Sequence, residues 1–211
     1  MTNGDKFDHT GTGAPLSTHI LEFGGVTDGL SNTMFASETG TRQLTNTDIR
    51  GAANEHQISS ATATTGNGGF SNYTTSPQNC YNMASGKRYR NLGAFYTKGQ
   101  AWGNAEGPRT LFVTVIPPNG PSCLKHDDMR GFSTASSYHS GGVNAALCDG
   151  AVRFVTDTVS ASTPGTQGQN GYLGQDQPGA DGTNPVMYTG ASTYGVWGAY
   201  GSIAGSDSTA L

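Results

Sequence analysis

Charge is scarce in this chain: charged residues make up 12% of its 211 residues, and only 11 are basic, against 15 acidic. The formal net charge of −4 leaves no electropositive footprint for tracking phosphates, so nucleic acid is excluded as a partner. Long apolar runs are missing too. No stretch approaches the 18 or more apolar residues of a membrane span, and Met1-Thr2-Asn3-Gly4-Asp5 lacks the basic-then-apolar pattern of a secretory signal. Two expectations follow: a cytosolic protein, or one whose export segment lies upstream of Met1.

Catalytic and metal motifs are likewise wanting. The five histidines, His9, His19, His56, His126 and His139, show no i, i+4 pair, and no zinc-type cysteine spacing occurs. There is no G-x-S-x-G elbow, and Gly66-Asn67-Gly68-Gly69 lacks the Lys and Ser/Thr of a phosphate loop. No catalytic residue and no metal ligand set is assigned, and no cofactor is expected. Two weaker oxygen-rich stretches are noted. His126-Asp127-Asp128 reads as a solvated turn, because consecutive side chains rarely converge on one ion. Asp176, Asp181 and Asn184 offer oxygens to Ca²⁺ without the dense alternation of an EF-hand loop.

What the chain does contain is glycine, 32 residues, about twice the usual share of roughly 7%. With only 34% hydrophobic residues, this implies many turns and a modest core. Ser, Thr, Asn and Ala fill much of the rest, which suggests a polar, weakly charged surface of the kind found on secreted and filament-forming proteins.

Cysteines number three. Cys148 lies in an apolar strand pattern and reads as a small buried thiol. Cys80 and Cys123 lie in Pro/Asn/Ser-rich segments read as loops, and they are either unpaired or joined. A bond between them would close a loop of about 40 residues, worth roughly 3–4 kcal/mol on the chain-entropy account.

Along the chain, Met1–Pro15 has no periodicity, so residues 1–16 read as a loose segment and 17–211 as a single β-rich domain. Thr18–Phe23 and Asn32–Ser37 read as strands about a tight turn, in which Asp28 and Ser31 bond nearby amides. Residues 39–69 read as a long loop. Phe70–Ala105 interleaves aromatics with amides, and Tyr73, Tyr81, Tyr89 and Trp102 form either the cover of a core or a ligand surface. Thr110–Ile116, β-branched and ended by Pro117-Pro118, predicts a central strand.

Val143–Cys148 and Ala151–Thr156 flank Asp149-Gly150, which predicts a hairpin with a two-residue type I′ turn. That register opposes Leu147 to Val152 and Ala145 to Phe154 on the core face. Residues 157–185 read as a second long loop, and Tyr194–Tyr200 as a segment returning to the sheet. Little helix is expected. The fold class is mainly β, antiparallel and loop-rich.

The run from Ser136 to Phe154 holds His139 and, after nine intervening residues, Asp149-Gly150. It resembles the His-x(9)-Asp-Gly signature of prepilin-type, processing-associated envelope proteins. Val26–Thr33, Val115–Cys123 and Tyr194–Ala199 supply three further blocks in the same order, so the resemblance spans most of the chain. Gly205-Ser206-Asp207-Ser208 departs from the Gly-Gly-Glu often found at that end.

The resemblance implies a pseudopilin-like globular domain, α+β if an upstream apolar helix is counted, in the bacterial cell envelope, periplasmic or extracellular. It implies a non-enzymatic structural subunit of a type II secretion or type IV pilin-like assembly. Its partners would be other pilin-like subunits or secretion-system components, and it would touch a membrane only through that helix. Within the signature, His139, Gly141, Gly142, Asn144, Asp149 and Gly150 read as scaffold, since an extended chain would carry His139 roughly 30 Å from the turn. The competing reading is an extracellular module whose aromatic and Asn-rich loops hold a glycan or protein ligand.

Overall fold

The computed structural model describes residues 23–41, 48–55, 77–90, 94–98, 112–124, 131–161, 192 and 194–202. The predicted segments 1–16, 56–69 and 162–185 lie outside these residues, as do Tyr73, Trp102, His126-Asp127-Asp128, Asp176, Asp181 and Asn184.

The described residues are mainly strand and turn, with antiparallel sheets and two short helices. Strands β1 (Met34–Ser37), β8 (Gly142–Leu147) and β9 (Val152–Thr156) form one antiparallel sheet in the order β1-β8-β9. A second sheet runs β5-β2-β6-β7, from β2 (Ala52–Glu55), β5 (Ala94–Thr97), β6 (Cys123–Leu124) and β7 (Gly131–Phe132). Its β2–β6 pair is parallel, and the others are antiparallel. Strands β3 (Ala84–Ser85) and β4 (Arg88–Tyr89) make a small hairpin after helix α1 (Pro77–Asn82). Helix α2 (Gly195–Gly201) comes last.

The β8–β9 hairpin corrects the predicted turn. Leu147 N–H donates to Ala151 O and Gly150 N–H to Leu147 O, so the loop is Cys148-Asp149-Gly150 rather than Asp-Gly alone. A type I′ turn needs positive φ at both central residues, yet among the described non-glycine residues only Asn119 has it. Instead Asp149 Oδ1 accepts the Ala151 N–H, and Gly150 takes φ 87°, a type I turn closed by a glycine bulge.

The one-residue longer loop shifts the ladder. Ala145 now faces Arg153, and Asn144 faces Phe154. Because side chains alternate, the slip turns Val152 and Phe154 away from the core. They are 67% and 50% exposed, while Val143, Ala145, Leu147 and Val155 are buried.

The predicted strand at 110–116 is not one in its described part. Phe112–Ile116 joins no ladder, although Val113, Val115 and Ile116 are buried. The segment is a wedge between two clusters. Phe112 leans on Trp197 with ring centroids 6.4 Å apart, whereas Val113, Val115 and Ile116 pack with Cys80, Cys123, Phe132 and Tyr194. Its polar backbone is satisfied across the fold instead, Val113 N–H by Ser133 O and Ile116 O by the Trp197 indole N–H at 2.9 Å.

Three smaller findings concern local chemistry. Of the expected strand at 18–23 only Phe23 is described, in the 3-10 turn Phe23–Gly25; Leu30–Asn32 is a second such turn, so the strand expected at 32–37 is Met34–Ser37. The Asp28 carboxylate also reaches far along the chain, its Oδ2 accepting a bond from Ser202 Oγ at the end of α2. The expected loop at 39–69 contains β2.

The returning C-terminal segment is helical. It brings Trp197 and Tyr200 onto Met34, Val143 and Leu147, all nearly without solvent contact.

Cys80 and Cys123 are joined by a disulfide with Cα atoms 5.7 Å apart, and both are fully buried. Neither lies in a loop: Cys80 is on α1 and Cys123 on β6, so the bond ties helix to sheet. Cys148 is the free, buried cysteine. Replacing Cys80 and Cys123 together by Ala should lower the unfolding free energy by about 3–4 kcal/mol, since a closure over 43 residues of sequence separation is released. Urea denaturation with and without reductant measures this. An unchanged midpoint in both would contradict the assigned tie.

Candidate functional site

The signature region gathers around one carboxylate that sequence reasoning missed. Glu38 follows β1 directly, and its backbone continues the ladder, Glu38 N–H donating to Asn144 O. Its side chain then turns onto β8. Oε2 accepts the Asn144 backbone N–H at 2.8 Å, and Oε1 accepts the Asn144 Nδ2 at 3.0 Å. Oε1 also lies 3.0 Å from His139 Nε2. The pair is partly open to solvent, with side-chain exposures of 58% for His139 and 33% for Glu38. Scarcity was the available signal: a lone acid at the end of an apolar strand, in a chain with 15 acidic residues, needs a reason.

A second knot holds the run before β8. Asn119 sits at φ 62° in the Pro-Pro-Asn-Gly turn, and its Oδ1 accepts the Ser137 N–H at 2.8 Å. Asn119 Nδ2 and Ser137 Oγ both donate to Gly142 O, and His139 N–H donates back to Ser137 Oγ. Gly142 is needed for a steric reason. A Cβ there would come within 2.8 Å of the Phe154 ring, which lies across the strand. Gly141, at φ 81°, makes the bend into β8.

The six signature residues therefore do not converge on one point. His139 and Asn144 meet at Glu38; Gly141 and Gly142 shape the start of β8; Asp149 and Gly150 form the turn at its far end.

Burial pushes the Glu38 carboxyl upward, but the Asn144 backbone and side-chain donors, with the His139 charge and hydrogen bond, outweigh it and hold the group below its ordinary value of 4.5. A carboxyl depressed in the folded state contributes stability above its unfolded value, and that contribution is lost as pH falls through the folded one.

Behind this surface lies a buried lysine. Lys98 is 1% exposed, and its Nζ donates to Thr134 O and, at 2.8 Å, to Ser136 Oγ. Desolvation lowers its pKa to about 7. A neutral amine has two N–H donors, and these two acceptors match them. Ser136 beside a low-pKa lysine has the composition of a serine–lysine dyad, but the geometry is structural. Ser136 is 0% exposed, its proton goes to Arg50 O, and Gly40 N–H also donates to it. Nearby, the Arg50 guanidinium pairs with Asp48 and stands 4.8 Å over the Tyr138 ring.

Of the four residues of the proposed aromatic surface, Tyr89 and Tyr81 are described. Tyr89 is 5% exposed, and its hydroxyl bonds both Ser122 O and Ser122 N–H, so it belongs to the interior. Tyr81 is half-buried against the disulfide cluster. Among the described residues, no group of three or more His, Cys, Asp or Glu is placed to hold a metal ion. No helix among them is long and apolar enough to cross a membrane.

Comparison with known families adds one result. Residues 2–162 match the family model described as a protein of unknown function (DUF1559). The chain belongs to that family. The match takes in the Glu38, Asn119 and His139–Gly150 network but stops short of α2. No curated protein and no solved structure matches the chain.

Two measurements test the electrostatics. Glu38→Gln should destabilise the fold at pH 7, because an amide N–H₂ now faces the Asn144 donors, and the difference from wild type should shrink steadily below pH 4.5. Equal destabilisation at pH 7 and pH 3 would remove Glu38 as the acid-sensitive joint. Lys98 carries the same sign into a higher pH window. Between about 7 and the ordinary 10.5 the unfolded chain binds the extra proton, so wild-type stability should rise with pH across that window. Lys98→Met should flatten the rise, read from denaturant midpoints at pH 6.5 and 9.5; a slope that persists in the variant would show that other groups produce it.

Proposed function

We propose that this chain is the globular, non-enzymatic part of a pilin-like structural subunit working outside the bacterial cytoplasm. The observation that carries the reading is how the signature residues are employed. His139 and Asn144 are engaged by Glu38, Gly142 O takes two bonds, and Asp149 and Gly150 close a turn, so each has a structural task. The buried Cys80–Cys123 bond supports the location, because structural disulfides persist in oxidising compartments and are rare in the reducing cytosol. On this reading an upstream apolar helix supplies assembly or anchorage, and pilin-like subunits or secretion components are the partners. The glycan-binding alternative gains nothing from Tyr89, whose hydroxyl is used inside the fold.

Thiol labelling in the native bacterium tests the location. After denaturation without reductant, the protein should expose one alkylatable thiol, Cys148, and three after reduction. Three reactive thiols before reduction would place it in a reducing compartment and sink the proposal. In-cell cross-linking followed by mass spectrometry tests assembly, with pilin-like subunits expected among the adducts.

A further inference from the structure

The two edges of the β1-β8-β9 sheet are treated differently. On the β1 side the ladder is broken by a bulge at Phe35, and the edge is covered, since Ser136 N–H bonds Glu38 O and Gly40 N–H bonds Ser136 Oγ. On the β9 side no such bulge or cover is found among the described residues. Five consecutive pairs join β8 to β9 without a bulge, and β9, Val-Arg-Phe-Val-Thr, contains no proline. Bulges, cover, proline and charge are the devices by which natural sheets blunt an edge, and of these β9 has only the single charge of Arg153.

Which groups face outward follows from the ladder. Leu147 N–H to Ala151 O and Asp157 N–H to Gly141 O mark the bonded pairs, so Ala151, Arg153, Val155 and Asp157 turn their backbone groups toward β8. Val152, Phe154 and Thr156 turn theirs away. Among the described residues the only bond to these outward groups is Val159 N–H to Thr156 O. The same three residues carry their side chains on the solvent face, where Val152 is 67% and Phe154 50% exposed, alongside the half-buried Ala36 and Ala146. A one-sided antiparallel sheet ordinarily keeps that face polar.

We propose that β9 pairs antiparallel with β9 of a second copy of this chain about a two-fold axis at Phe154. The strand is self-complementary in that register. Phe154 exchanges both bonds with its counterpart, and each Thr156 N–H meets the Val152 O of the other copy, giving four bonds to open acceptors. Val152 N–H faces Thr156 O, which keeps its second lone pair. The outer faces join into one apolar strip with the Phe154 rings adjacent. On the inner face Arg153 stands opposite Val155 of the second copy and diagonal both to its Arg153 and to its Asp157, so two pairs of opposite charge meet against one pair of like charge. This pairing goes beyond the proposed function and needs no upstream helix.

The test uses the full chain. Sedimentation velocity should give a species of twice the 21.8 kDa chain mass that dissociates on dilution. Under a mild oxidant Phe154→Cys should form a covalent dimer, because bonded partners have Cα atoms about 5.5 Å apart, within disulfide reach. Val152→Cys should not, its counterpart lying roughly 14 Å along the strand. R153D should weaken association at least tenfold, and R153D/D157R should restore it. In the wild type, exchange of the Phe154 amide should slow with rising concentration, a readout that needs no variant. A monomer at every concentration with a fast-exchanging Phe154 amide would overturn the proposal. So would a dimer in which Val152→Cys cross-links as readily as Phe154→Cys.

Discussion

The Glu38 carboxylate closing on Asn144 is the joint on which the described fold turns. The bulge at Phe35 breaks the regular alternation of β1, and a strand that has slipped once needs something to stop it slipping again. Two charge-assisted bonds to a single residue of β8 provide that stop. With the register held, Met34 stands opposite Leu147, and both face Trp197 and Tyr200. Had β1 paired one residue along, Met34 would point to solvent and α2 would lose the surface it packs on.

The sequence made the hairpin legible but not its register, and the reason is local. Asp-Gly between apolar runs serves two turns: a two-residue loop with positive φ at both positions, and a three-residue loop with the glycine alone in the left-handed region. Propensity does not choose between them, because Gly150 suits both. The choice is made by core demand. The three-residue loop lets Val143 and Val155 face each other beneath Trp197, whereas the shorter loop would bring the larger Phe154 inward opposite Ala145. Gly142 then accommodates the displaced ring on the outer face.

Legibility failed differently at 112–116. Consecutive burial of Val115 and Ile116 is incompatible with a flat strand facing one layer, but a run of β-branched residues reads the same whether one layer or two will receive it. The deciding contacts come from Trp197 and Phe132, remote in the chain. The disulfide was legible as a pair of residues and not as a tie between helix and sheet, since α1 is too short to leave a periodic signal. Within the signature, the turn residues were legible. Glu38 was not, because its partner Asn144 lies 106 residues away.

The abundance of serine and threonine also reads differently once the interior is seen. As composition it suggests a polar surface, yet Thr33, Ser122, Ser133, Thr134, Ser136 and Ser137 are all buried. The extended run after β7 has few ladder partners, so side-chain hydroxyls satisfy its neighbourhood. Ser122 Oγ accepts the Thr134 N–H, Thr134 Oγ1 donates to Pro121 O, Ser136 Oγ to Arg50 O, and Ser137 Oγ to Gly142 O. A hydroxyl can both donate and accept, so it can close a mismatched backbone pair without importing a charge; of the six, Ser133 Oγ makes no such bond among the described residues. That is how a chain with so few charged side chains stabilises irregular backbone inside its core. The exception is Lys98, which enters this hydroxyl-and-carbonyl layer at the cost of its proton near neutral pH.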